Sequence, residues 1–231
     1  MDPSTPGNAG GRVAEGLPAA LCGFGPLGIL SILAVLSADL FVKPLSAVLV
    51  LVWARSSRTP WSEIGYRRPR SWLGGLAFGL VFGSALKIFL KAVVMPLLRA
   101  DPINRAYHHL AHNRALLPAA IFAMIVQAGW GEETVFRGYL FDRLGRLAGT
   151  GAGAKSFIVL FTAALFGLAH FADQGLAGAE QATITGLAFG IIFAVTGSLW
   201  VPMVAHAAVD LTALAIIYWD QESRVAHLVF N

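Results

Sequence analysis

The chain has 231 residues, 56% hydrophobic and 13% charged, with a formal net charge of +4 at pH 7. Soluble domains carry about 25% charged residues, so this composition, with a mean hydropathy of +0.66, excludes a water-soluble globule and a disordered chain. The single cysteine, Cys22, excludes a disulfide scaffold, and the loop-confined basic residues read as topology signals, which excludes a nucleic-acid binder.

Crossing a bilayer takes about 20 predominantly apolar residues. Gly16–Ala38, Ser71–Leu86, Ala115–Gly131, Ser156–Ala172 and Gln181–Val209 contain no Asp, Glu, Lys or Arg. These runs are continuous and lack the short alternation of barrel strands, so the fold class is an all-α integral membrane protein. In chain order, residues 1–16 form a polar, Gly/Pro-rich tail that is expected to be disordered. The first span is Leu17–Ala38, an anchor and not a cleaved signal, because a cut after Ala38 would put bulky Leu36 three positions before the bond. The second is Pro44–Ala54, with Leu40–Lys43 joined to it, and the third is Trp72–Leu98. The fourth is Leu116–Phe141 and the fifth Phe157–Phe171. The run from Gln181 divides at Gly197–Ser198, with Pro202 in the first turn of the last helix, where proline is tolerated. The expectation is about seven transmembrane helices enclosing a polar cavity. Helices 1–3 with their loops occupy 17–114, the core helices 115–219, and a C-terminal tail 220–231.

Positive charge sets orientation. Arg55, Arg58, Arg67, Arg68 and Arg70 share one side with Arg143, Arg146 and Lys155, whereas Lys43, Arg99, Arg105 and Arg114 lie opposite. The first group marks the cytoplasmic side, so the N-terminus is expected inside. The Ala-, Gly- and Arg-rich composition fits a bacterial or archaeal plasma membrane.

A charge near mid-membrane costs about 2.5–3.5 kcal/mol and survives where it is paired or functional. Helix 4 carries Glu132, Glu133 and Arg137. Glu133 and Arg137 share a face and can pair, while Glu132 is rotated about 100° away and is available for chemistry. Helix 5 places Phe166 and His170 on one face, and the last helix does the same with His206 and Asp210, where the carboxylate can orient the imidazole. Measured from the helix ends, Glu132, His206 and His170 lie roughly 16, 10 and 20 Å deep. Buried polar pairs also glue helices together, but three such groups on three helices favour a site.

These ordered motifs, Glu132-Glu133-x-x-x-Arg137, Phe166-x-x-x-His170 and His206-x-x-x-Asp210, resemble the CPBP family. This is the CAAX prenyl protease type II and bacteriocin-processing (Abi) group of intramembrane proteases. The resemblance runs from Leu116 to Asp210, and Trp61–Arg70 resembles the stretch such proteins carry before an earlier helix. The third motif ends in Asp where the prenyl proteases commonly have Asn. The resemblance implies hydrolysis of a peptide bond near the C-terminus of a membrane-associated, prenylated CAAX-type protein. Glu132 would activate water, His170 hold it, and His206 with Asp210 steady the oxyanion, while Glu133, Arg137 and Phe166 support them. The family has been classed both as metalloproteases and as glutamate-dependent proteases. Zinc held by His170 and His206 with Glu132 therefore stays open, and the reading leans to metal-free catalysis. The implied partners are the bilayer and a peptide or lipidated protein, reached through a cavity that opens laterally and to the cytoplasm.

Other features carry weaker readings. His108 and His112 have a helical metal-ligand spacing but no nearby Cys or acidic pattern, so solvation is the expectation. Lys87 and Lys91 either snorkel, lie at the interface or line a cavity. Gly75, Gly79, Gly83, Gly167, Gly186 and Gly190 suit close helix packing. The alternative functions are a non-proteolytic bacteriocin-immunity or scaffold protein and a proton-coupled transporter, the latter disfavoured by the lack of repeated broken helices.

Overall fold

The computed structural model describes residues 16–42 and 44–230. The expected tail, apart from Gly16, and Lys43 lie outside them. The described residues form helices and loops, with no strand among them. In chain order the helices are α1 (Leu17–Cys22), α2 (Pro26–Ala38), α3 (Leu45–Ser56), α4 (Trp72–Leu97), α5 (Arg114–Ala148), α6 (Ala152–Thr196), α7 (Trp200–Tyr218) and α8 (Glu222–Ala226). Helices α4 to α7 are long and apolar enough to cross a membrane, and α2 and α3 are shorter apolar helices.

Seven expected spans thus become four helices of crossing length among the described residues, for three reasons. The first expected span breaks at Gly23-Phe24-Gly25-Pro26. Proline disfavours a helical residue before it, Gly25 is extended, and Pro26 starts α2. The buried Arg143 guanidinium holds the break, donating to the Cys22 carbonyl and, at 2.6 Å, to the Gly23 carbonyl. Second, residues 39–42 turn instead of extending α3, which has only 12 residues. Third, the expected fifth and sixth spans follow one another without a loop in a 45-residue stretch, two helices divided at non-helical Gly175, whose φ of 65° is left-handed. As one straight helix, such a stretch would run for about 68 Å against a hydrocarbon core of about 30 Å, so the kink divides it into two limbs. The expected break at Gly197 is present, with left-handed φ 63° ending α6, and Pro202 lies in the first turn of α7.

Helix α4 packs on α7 by close approach at glycine. A Cβ on Gly79 would sit 2.7 Å from Val204 Cγ1, and one on Gly83 would overlap the Ala205 carbonyl. These glycines and Lys87 recur every four residues, so the same face carries Lys87 past the tight contact. Thr212 then donates to Ser84 Oγ at 3.0 Å.

The segment before α4 folds back into the bundle. Ile64 and Leu199 are fully buried, and Leu199 N donates to the Gly65 carbonyl at 2.9 Å. Helix α7 therefore starts beneath this segment, and Arg146 near the end of α5 reaches Glu63 of the same segment at 3.2 Å.

Helix α4 separates the Arg-rich 55–70 segment from the 98–113 loop, which fixes a topological expectation. In a Cys22→Ala background, cysteines replacing Arg68 and Arg105 will be labelled by a membrane-impermeant maleimide from opposite sides of vesicles. Labelling from one side would contradict a spanning α4.

Candidate functional site

Helix α5 does not wind uniformly. Residues Ala123–Glu132 and Thr134–Tyr139 form widened π-helical turns, a feature concentrated at functional sites. Glu132 and Arg137 sit on these turns, and Glu133 lies between them. Trp130 Nε1 donates to the Tyr66 hydroxyl at 2.8 Å, and the Thr134 hydroxyl donates to the Trp130 carbonyl at 2.7 Å. The single Thr134 proton is thereby used, so the Tyr66 hydroxyl donates to Thr134 Oγ1, 2.7 Å away. Burial pushes the Tyr66 phenol above its ordinary range, with its bonds to Thr134 and Trp130 pulling the other way. The Trp61–Arg70 stretch thus braces α5 on both sides of Glu132 and Glu133.

Glu133 and Arg137 are fully buried and pair as their spacing predicts, Arg137 Nη1 donating to Glu133 Oε1 at 2.9 Å. Arg137 Nη2 reaches the Gly186 carbonyl at 3.1 Å, and the guanidinium lies 4.7 Å over the Phe166 ring. A carboxylate only accepts, so His206 Nδ1, 2.7 Å from the same Glu133 Oε1, carries its proton. Asp210 was expected to orient His206; Glu133 does so instead. Asp210 Oδ2 lies 3.7 Å from the other nitrogen, Nε2. Likewise His170 Nδ1 is 2.8 Å from the Phe166 carbonyl and must donate to it. Phe166 itself packs 4.5 Å from the His170 ring and 5.8 Å from that of His206, between centroids.

Both imidazoles therefore turn Nε2 towards Glu132. Glu132 Oε2 is 3.9 Å from each of these nitrogens. The four motif residues from α5, α6 and α7 line one cavity of about 370 Å³, within the usual range for small-ligand sites. Among the described residues, no group of three or more His, Cys, Asp or Glu is arranged to hold a metal ion.

The cavity also collects residues that the motifs do not mark, including Tyr107, Gln127 and Gln181. Burial raises the Tyr107 phenol above its ordinary range, with the negative charges of Asp210, Glu132 and Asp173 adding to the effect. It stays a neutral hydroxyl at physiological pH. No sequence signal pointed to Tyr107, because it belongs to the irregular 98–113 loop. Lys87 also lines this cavity, which decides among the three readings left open for it.

Leu116, Ala119 and Ala123 line the cavity together with Asn104, so it leads from Glu132 towards the end of the bundle where α4 stops and α5 begins. This is the end opposite the Arg-rich 55–70 segment. A cytoplasmic mouth and a cytoplasmic Arg-rich side were both expected, and the two do not hold together. The helical spacing of His108 and His112 is not realised either. The turn there covers only His108–Leu110, and His112 has a left-handed φ of 54°. His108 Nδ1 instead meets buried Glu222 at 2.9 Å.

Residues 114–212 match the family model described as type II CAAX prenyl endopeptidase Rce1-like. That match is consistent with the resemblance of the motifs to the CPBP family. No curated protein and no solved structure matches the chain. The three motifs all fall inside the matched segment, while the α1–α4 region that braces it falls outside.

Removing one partner of a buried ion pair leaves an uncompensated charge and costs about 3–5 kcal/mol. Arg137→Met will lower the unfolding midpoint of the detergent-purified protein by a loss of that size. Glu132→Gln, at the cavity wall, will change it by less than about 1 kcal/mol. Equal effects would remove the division between bracing and reacting glutamates.

Proposed function

We propose that the chain is an intramembrane endopeptidase that hydrolyses a peptide bond near the C-terminus of a membrane-associated, prenylated CAAX-type protein, with Glu132 activating water. The observation that carries this reading is the convergence of Glu132 Oε2 with His170 Nε2 and His206 Nε2, each 3.9 Å away. That separation is too long for a direct hydrogen bond and suits a bridging water. The family match over residues 114–212 supports the reaction class.

In this mechanism water binds between Glu132 and the two imidazoles. Glu132 takes its proton while the oxygen attacks the peptide carbonyl, forming the tetrahedral intermediate. His170, fixed by the Phe166 carbonyl, aligns the water. His206 in its imidazolium form offers Nε2–H to the oxyanion, with Glu133 on Nδ1 and Asp210 beside it. Glu132 then passes its proton to the leaving nitrogen as the C–N bond breaks, which releases the C-terminal peptide as an amine and returns the carboxylate to its starting state. In this reading every step runs through the protein's own side chains.

Detergent-purified protein will cleave a farnesylated CAAX peptide, and Glu132→Ala will lower kcat by about 10²–10⁴-fold. Activity surviving that substitution would sink the role of Glu132. Absence of cleavage by the wild type would favour a non-proteolytic immunity or scaffold protein on the same fold. A separate expectation concerns metal: cleavage will persist after exhaustive chelation, and added zinc will not raise it. Loss on chelation with recovery on zinc would overturn the metal-free mechanism.

A further inference from the structure

The α4 face bearing Gly79 and Gly83 delivers Lys87 to a place where a lysine is expensive. It is 6% exposed and lies inside a membrane-crossing helix, where charge is retained chiefly for function. Lys87 lines the catalytic cavity and also a second one of about 470 Å³, and Gln174 and Gln181 likewise line both. These residues form the shared wall through which the two spaces adjoin.

The other cations of the second cavity have carboxylate partners. Lys91 Nζ lies 3.5 Å from Glu222 Oε1 and also reaches the Pro102 carbonyl. Arg105 Nη2 lies 2.8 Å from Asp101 Oδ2. Lys87 differs: among the described residues, its hydrogen bond goes to the neutral amide oxygen of Gln181, at 3.0 Å, and the carboxylates of Asp210 and Glu222 act on it through space without a direct ion pair. An ammonium has three N–H donors, and the amide nitrogen of Gln181 supplies more on the same wall. A buried cation beside an amide, bordering a vacant space, is built to receive an anion. The ends of the wall restrict which anion fits. One side is the site of Glu132, His170 and His206; the other is walled by the 98–113 loop and its Asn104 and Asp101.

We propose that Lys87, with Gln181, binds the free α-carboxylate of the substrate's C-terminus, so that the residues beyond the cleaved bond occupy the space shared by the two cavities. This rests on the endopeptidase reading and deepens it. The enzyme would measure its cleavage position from the chain end, using a charge that no internal peptide segment carries.

The test compares a farnesylated CAAX peptide ending in a free carboxylate with the same peptide ending in a carboxamide. Wild type will show a KM at least about tenfold lower for the acid, the effect expected of one charge-assisted contact. In Lys87→Met the ratio of the two KM values will fall towards one, and Lys87→Arg will retain part of it. The ratio is internal to each preparation, so partial misfolding does not mimic the result. Should Lys87→Met fail to fold, the wild-type ratio and Lys87→Arg carry the test. An acid preference unchanged in Lys87→Met, or no preference in wild type, overturns the proposal. Binding of the released C-terminal peptide, acid against amide, is measured alongside on Glu132→Gln. Acid-selective binding that needs Lys87, without wild-type cleavage, would support the carboxylate site and overturn the endopeptidase reading. Cleavage without acid selectivity would do the reverse.

Discussion

Glu133 Oε1 receives two donors at once, Arg137 Nη1 at 2.9 Å and His206 Nδ1 at 2.7 Å. Through that one oxygen α5 is joined to α7, and through the second arm of Arg137 it is joined to the Gly186 carbonyl of α6. A fully buried carboxylate and guanidinium are tolerable only together, so the three helices that carry the motifs cannot drift apart without exposing one charge to an apolar interior. The same oxygen sets the proton on His206 Nδ1 and turns Nε2 towards Glu132. Structural cohesion and the tautomer of a functional imidazole thus depend on a single interaction.

The packing around this centre is arranged to bring charged groups close without filling the space between them. Small residues let backbones approach: Gly83 lies against Ala205 of α7, and Gly186 sits with its would-be Cβ 3.1 Å from Ala163 Cα. Aromatic rings fill the intervals, with Phe166 under both the Arg137 guanidinium and the two imidazoles. The widened turns of α5 at Ala123–Glu132 and Thr134–Tyr139 are braced from outside by Tyr66. The side of Glu132 facing away from this brace stays hollow, and the cavity there continues to Lys87.

Several of these relations were readable before any fold was known. The four-residue spacing of Glu133 and Arg137 predicted their pairing, and the separation of Glu132 from that face predicted that it would meet different groups. The break at Gly197 and the start at Pro202 follow from left-handed glycine and N-terminal proline preferences. The Gly-Phe-Gly-Pro signal at 23–26 was equally local, yet continuous hydropathy masked it, since an apolar run looks the same whether its helix is straight or interrupted. The kink at Gly175 lies in a segment whose polarity resembled a loop, although helix runs up to that glycine on both sides. For His206, one carboxylate four residues along its own helix looked like the natural partner, and the true partner came from another helix.

The sequence by itself determined a helical membrane protein, the three charged motifs, and which glutamate pairs with Arg137, because apolar run length and helical spacing are properties of the local chain. Only the tertiary structure decided that Glu133 orients His206, that the cavity leads away from the Arg-rich end, and that Lys87 faces the same space as Glu132. Each of these depends on how far one helix is shifted and rotated against another. That offset comes from backbone contact at glycines, from a loop folded over the end of α7, and from one shared carboxylate oxygen, none of which has a periodicity along the chain.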